Sequence, residues 1–135
     1  MKIIACIEER NGMSFNLRRV SSDKKVIERI WKLLKGGSLW LSEYSAPLFK
    51  DTALQLKTDS AFLSKAQYED YCFVENTDVT PYIAKCSGLI LFKWNKKYPS
   101  DLKFPTESVV SGKIMKFSEE FSGTSHDKIT MEVYE

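Results

Sequence analysis

Lys2-Ile3-Ile4-Ala5-Cys6-Ile7 is the stretch that decides the fold. Its five consecutive apolar residues are closed by Glu8-Glu9-Arg10 and the turn signal Asn11-Gly12. A short apolar run bounded in this way describes a strand buried on both faces. Further along, Ser21-Ser22-Asp23 offers N-cap candidates for a helix. Val26, Ile27, Ile30, Trp31, Leu33 and Leu34 then recur at helical spacing, with Lys24, Lys25, Glu28, Arg29 and Lys32 opposite. Gly36-Gly37 ends that helix, and Leu39-Trp40-Leu41 reads as the next strand. Strand, helix, strand predicts a right-handed crossover, which places residues 3–7 near the middle of a sheet. Residues 8–20, with Asn11-Gly12, Asn16 and Arg18-Arg19, read as an extended loop.

The pattern continues as α/β and ends as antiparallel β. Leu54-Gln55-Leu56-Lys57 alternates as a short strand does, and Asp59 or Ser60 caps a brief helix through Lys65. Tyr71-Cys72-Phe73-Val74 is another wholly apolar strand. Thr77-Asp78-Val79-Thr80-Pro81 starts a helix expected to run to Cys86, and Leu89-Ile90-Leu91-Phe92 opens a strand reaching Trp94. Residues 113–121 and 128–134 both alternate, with Gly123-Thr124-Ser125-His126 between them, so they predict an antiparallel hairpin.

Composition bounds the function classes. At 135 residues, 43% apolar and 28% charged, the chain reads as one ordinary globular domain, residues 1–135. Its net charge of +2 argues against a nucleic-acid surface, although Trp94 and Tyr98 flank the basic pair Lys96-Lys97. Cys6, Cys72 and Cys86 are odd in number, two lie in apolar runs, and no C-x-x-C spacing occurs. They read as free thiols in a reducing, cytoplasmic setting, with no zinc site. No apolar run is long enough for a signal peptide or a membrane span. Trp31 and Trp40 are expected in the core.

Leu89-Ile90-Leu91-Phe92-Lys93-Trp94, then Ser100-Asp101-Leu102-Lys103-Phe104-Pro105, then Lys116-Phe117-Ser118-Glu119-Glu120-Phe121 and Met131-Glu132-Val133-Tyr134 follow one another in an order that resembles the end of dihydrofolate reductases. The beginning is similar too: a buried strand, a loop with Asn11-Gly12, and the acid Asp23 in the first turn of the next helix. The resemblance implies a three-layer α/β sandwich with a mixed, mostly parallel sheet and a C-terminal antiparallel hairpin. It also implies that Asp23 stands where the family's acid orients and helps protonate the pterin. Beside that role stands the plain one of charge–dipole stabilisation at a helix N-terminus. The family's phosphate-binding glycine pair, expected after Tyr71-Cys72-Phe73-Val74, is replaced by Glu75-Asn76. Its phosphate-gripping Gly-Arg-like pair after the second strand is replaced by Ser42-Glu43. Residues 50–70 are too few for the family's adenosine-binding strand. No cofactor is therefore expected, and NADPH-dependent reduction is disfavoured.

Other chemistry is thin. His126 is the one histidine, and its place in a turn beside Ser125 and Asp127 reads as solvated. It and Asp23 are separate weak catalytic candidates, His126 with Lys128, Arg18 or Arg19 for acid–base work on a phosphate. A lone histidine cannot supply a metal-ligand cluster. A small-molecule or nucleotide cleft would draw on Arg18, Arg19, Asp23, Tyr44 and Asn95. Elimination leaves a protein-binding domain, in its sharpest form an immunity protein neutralising a contact-dependent or polymorphic nuclease toxin. Its expected contacts are Glu8, Glu9, Glu69, Asp70, Glu75, Asp78, Glu119 and Glu120, because acidic groups suit a basic nuclease.

Overall fold

In the computed structural model, which describes residues 1–135, the first apolar run is β1 (Lys2–Ile7). After it come β2 (Gly12–Phe15), β3 (Arg18–Arg19), α1 (Lys24–Leu34) and β4 (Ser38–Leu41). A 3₁₀ turn at Ala46–Phe49 leads to β5 (Gln55–Thr58), α2 (Phe62–Lys65) and β6 (Tyr71–Val74). A second 3₁₀ turn at Thr80–Lys85 leads to β7 (Gly88–Lys93), β8 (Leu102–Lys103) and α3 (Thr106–Val110). The chain closes with β9 (Met115–Phe121) and β10 (Ile129–Tyr134).

Seven strands form one sheet in the order β5-β4-β6-β1-β7-β10-β9. β1 is central as expected, with Ile3 opposite Cys72 of β6 and Leu89 of β7, both in parallel register. β10 runs antiparallel to β7 and to β9, which is the expected closing hairpin. Side chains alternate across a strand, so β1 supplies two cores. Ile3, Ala5 and Ile7 join Phe62, Leu63, Val79 and Val109 on one face. On the other, Ile4 joins Phe73, Ile90, Phe92 and the inner stripe of α1. Helices thus cover both faces, and the fold is the mixed α/β sandwich anticipated from the sequence.

α1 starts at Asp23, whose backbone is extended (φ −154°, ψ 133°) and whose side chain accepts the Lys25 N–H. It ends where Lys35 turns left-handed (φ 49°) and donates its N–H to Trp31 O. Val26, Ile30 and Leu34 face the sheet. Trp31 and Leu33 do not. They lie at the margins of the stripe and stay 37% and 41% exposed, which corrects the expectation that Trp31 is core.

Residues 8–20 also depart from the expected loop. β2 pairs with β3 and with β8 in a second, three-stranded antiparallel sheet. The β2–β3 hairpin turns on Asn16 (φ 50°) and Leu17 (φ 65°), the left-handed pair of a primed turn. Leucine stands where glycine is preferred, so the sequence hides the hairpin; a left-handed leucine costs about 1–2 kcal/mol. Glycine is required at Gly12, where a Cβ would collide with Ser100 and with the Glu8 carboxylate. The helix expected to run to Cys86 shrinks to the 3₁₀ turn at Thr80–Lys85. β9 is an edge strand carrying a bulge, since Val133 opposes Phe117 while Tyr134 opposes Met115, leaving Lys116 extra. No helix is long and apolar enough to cross a membrane.

Ile4 is fully buried between α1 and the sheet. Ile4→Ala is expected to cost about 2–5 kcal/mol. Urea unfolding checks it through a lower midpoint with an unchanged slope.

Candidate functional site

Ligands in α/β sheets bind beyond the carboxyl ends of the parallel strands. Here that region holds three carboxylates, Asp23, Glu75 and Glu8, all buried.

Asp23 is the most heavily used. As N-cap of α1 it accepts the Lys25 N–H at 2.9 Å. The turn between β9 and β10 supplies the rest: Thr124 N–H at 2.9 Å, Ser125 N–H at 2.9 Å, Ser125 Oγ at 3.3 Å and His126 Nδ1 at 2.9 Å. Five donors converge on a group with roughly four lone-pair sites. Burial alone pushes the Asp23 carboxyl up, but the Thr124 N–H, the His126 imidazole and the Ser125 and Lys25 N–H groups outweigh it. Together they hold it well below the usual carboxylate range.

His126 is 5% exposed, which corrects its reading as a solvated turn residue. Its ring stacks on Trp94, with centroids 4.5 Å apart and planes 24° from parallel. With Nδ1 donating to Asp23, Nε2 faces the hydroxyls of Ser21 at 2.8 Å and Tyr98 at 3.2 Å. Ser21, His126 and Asp23 thus have the order and spacing of a nucleophile relay. What the relay lacks is space. The cavity bounded by Ser21, Asp23, Glu75 and Trp94 measures about 10 Å³, too small for an acyl group or a heterocycle. Trp94, expected as a possible stacking surface beside Lys96-Lys97, is buried against the histidine.

Glu75 follows β6 directly. Arg19 grips it with two bonds, Nε to Oε2 at 2.8 Å and Nη2 to Oε1 at 2.9 Å, and Ser45 Oγ donates to Oε1 at 2.8 Å. Arg19 also lies over the Tyr44 ring, 4.5 Å from its centroid. Glu8 accepts the N–H groups of Gly12 at 2.6 Å and Arg10 at 2.9 Å. Cys6 and Cys72 add no nucleophile, because burial pushes the Cys6 thiol well up and the Cys72 thiol up to about 12.

The expected cleft residues therefore divide. Arg19 and Tyr44 meet at Glu75, whereas Asp23 meets His126. Asn95 bonds Lys128 O and Thr130 Oγ1, and Arg18 is exposed on β3. The expected acidic contacts divide too. Glu8 and Glu75 are consumed inside; Asp70 accepts the Gln67 N–H and the Trp40 indole; Glu119 pairs with Arg29. Glu9, Glu69, Asp78 and Glu120 remain on the surface. Sequence reasoning missed Ser45 as a partner of Glu75, and Ser21, Trp94 and Tyr98 as partners of His126. The one available signal was the density of N–H and hydroxyl donors in Gly123-Thr124-Ser125-His126. An open cleft of about 440 Å³ does exist between α1 and residues 47–52, lined by Ile27, Trp31 and Leu48 with Lys24 and Lys50 at its rim.

The strand order and the layers define a dihydrofolate-reductase-like fold. One solved structure of this shape is a dihydrofolate reductase from Enterococcus faecalis complexed with NADP(H) and RAB-propyl. The likeness covers 98% of this chain and 94% of that one at a TM-score of 0.67, and the two are 11% identical. At that identity the likeness is one of fold. No protein-family model matches the chain, and no curated protein matches it in sequence. The dinucleotide of such a reductase does not fit the residues present. After β6 a pyrophosphate would meet the Glu75 carboxylate, held in place by Arg19 and Ser45, and the side chain of Asn76.

A depressed carboxyl makes a stability contribution that is present above the unfolded carboxylate pKa and lost as pH falls through the folded one. Stability is therefore expected to drop as pH falls below about 4. Asp23→Asn should flatten that slope and lower the neutral-pH midpoint, because an amide cannot accept all five donors. Urea titrations between acid and neutral pH read both effects.

Proposed function

We propose that this chain is a non-catalytic protein-binding domain on a reductase-like scaffold. The observation that carries the reading is the saturation of Asp23. The carboxylate that would hold a ligand's amino and ring N–H groups is spent on the chain's own turn. The Glu75–Arg19 pair supports the reading in the same way, because it sets a carboxylate where a pyrophosphate would lie and neutralises Arg19. In its sharpest form, the chain is an immunity protein that neutralises a bacterial nuclease toxin. The acidic groups left for such a contact are Glu9, Asp78 and Glu120 toward the carboxyl ends of the parallel strands and Glu69 at the opposite end.

The cleft of about 440 Å³ beside Trp31 favours a second reading, a small-molecule sensor whose ligand would pack on Trp31 and Leu48 between Lys24 and Lys50 on one hand and Asp23, Glu28 and Asp51 on the other. One experiment separates the two. A ligand at a hundredfold excess over its dissociation constant adds about 2.7 kcal/mol to the native state. Thermal unfolding with NADPH, dihydrofolate and a nucleotide panel is expected to stay flat. Co-production with a candidate toxin domain is expected to rescue growth and yield a complex at micromolar concentration. A shift that Trp31→Ala abolishes would favour the sensor. Failure to rescue growth against any nuclease toxin encoded beside this chain would count against the immunity form.

A further inference from the structure

Trp94 is 1% exposed, and its indole N–H is the one fully buried side-chain polar group without a hydrogen-bond partner in the protein. Buried donors are almost always satisfied, so an orphan among them marks a place for a partner from outside the chain. Trp94 lines the cavity of about 10 Å³ at the strand ends, together with Ser21, Asp23 and Glu75. Two of these polar groups have a bonding position to spare. An ionised carboxylate offers roughly four lone-pair sites. Asp23 fills all of its own, whereas Glu75 accepts three bonds, two at Oε1 and one at Oε2. Oε2 therefore keeps a free site. Ser21 is the second group. With Nδ1 donating to Asp23, neutral His126 has one lone pair, at Nε2, and two hydroxyls face it, Ser21 at 2.8 Å and Tyr98 at 3.2 Å. Where Tyr98 donates to it, the Ser21 proton needs another acceptor. Where Ser21 donates, its oxygen keeps free lone pairs. Either way Ser21 has a bond left to make.

Chemistry and size together name the occupant. An N–H donor repels a cation and the two carboxylates repel an anion, so the group is neutral and must both donate and accept. The volume is that of about one water-sized sphere, which excludes any larger hydroxyl or carbonyl compound. We propose that a single ordered water is bound in this cavity. It accepts the Trp94 indole N–H, donates to Glu75 Oε2 and bonds the Ser21 hydroxyl, about the three bonds that a buried water makes. The water joins two networks that no direct hydrogen bond links, Asp23–His126–Ser21 and Glu75–Arg19–Ser45. The start of α1, the β9–β10 turn, β3 and the end of β6 become one hydrogen-bonded unit. Its route in and out is the floor of the larger cleft beside Trp31, because cavity and cleft share Ser22, Asp23, Ile27 and Leu48. The inference stands independently of the protein-binding reading above.

A high-resolution crystal structure of the full chain, with NMR spectra of the same protein, tests the assignment. The expected result is one isolated density peak within about 3 Å of Trp94 Nε1, Ser21 Oγ and Glu75 Oε2. In solution the Trp94 indole proton should show water cross-peaks of opposite sign in NOE and ROE spectra, the mark of a water held far longer than one in the hydration shell. A bare Nε1 in the crystal overturns the proposal, and so does an indole proton without such cross-peaks. A peak that reaches Trp94 but not Glu75 overturns the link between the two networks. Trp94→Phe keeps an apolar ring and removes the donor, so it should lower the occupancy of the peak at least about twofold. An unchanged peak in that variant overturns the indole's part in the site. The measurements on the unaltered protein decide the matter even where Trp94→Phe does not fold.

Discussion

The Asp23 carboxylate ties two regions 103 residues apart in sequence, the start of α1 and the turn that enters β10. Its hydrogen bonds decide the direction in which the helix leaves the sheet and where the last hairpin folds back. Gly123 lies so close to the carboxylate that a Cβ there would overlap it, so the turn packs on Asp23 with no space between. A buried carboxylate left without these donors would carry its full desolvation cost. The imidazole, the indole of Trp94 and the hydroxyls of Ser21 and Tyr98 are arranged around that requirement.

The scaffold and the site were legible to different degrees, for physical reasons. β1, β6 and β7 announced themselves because a parallel strand buried on both faces must be apolar throughout. α1 followed from its spacing and its cap. The β2–β3 hairpin did not, because its turn uses leucine where the usual signal is glycine. His126 was misjudged because a turn residue is exposed by default, and only the fold shows that this turn lies against Asp23 and Trp94. Arg19 reads in sequence as a ligand group and Glu75 as a partner contact. Their pairing depends on β3 coming beside the end of β6, and no local pattern encodes that.

A fold similar to that of a dihydrofolate reductase at 11% identity is held by two kinds of position. The apolar strands keep the layers together, and many apolar residues meet that demand equally well. Chemistry resides at the strand ends, where single polar positions decide what fits. Here those positions carry side chains that bond to one another. The result is a set of strand-end carboxylates satisfied from within the chain, beside an open depression of about 500 Å³ lined by Arg18, Arg19 and Tyr98 and the cleft beside Trp31.

The placement of β1 has a consequence for how the chain reaches this state. It is made before the other strands of its sheet, yet both of its neighbours, β6 and β7, are much later in the chain, and β10 must then be added outside β7. Most pairings are therefore distant in sequence, and ordering them is slow compared with local helix formation. Until the late strands arrive, an apolar ribbon with two open edges stays accessible to other chains. Newly made protein thus exposes its most apolar strand before the Asp23 clamp exists, the interval in which partly folded chains are prone to aggregate.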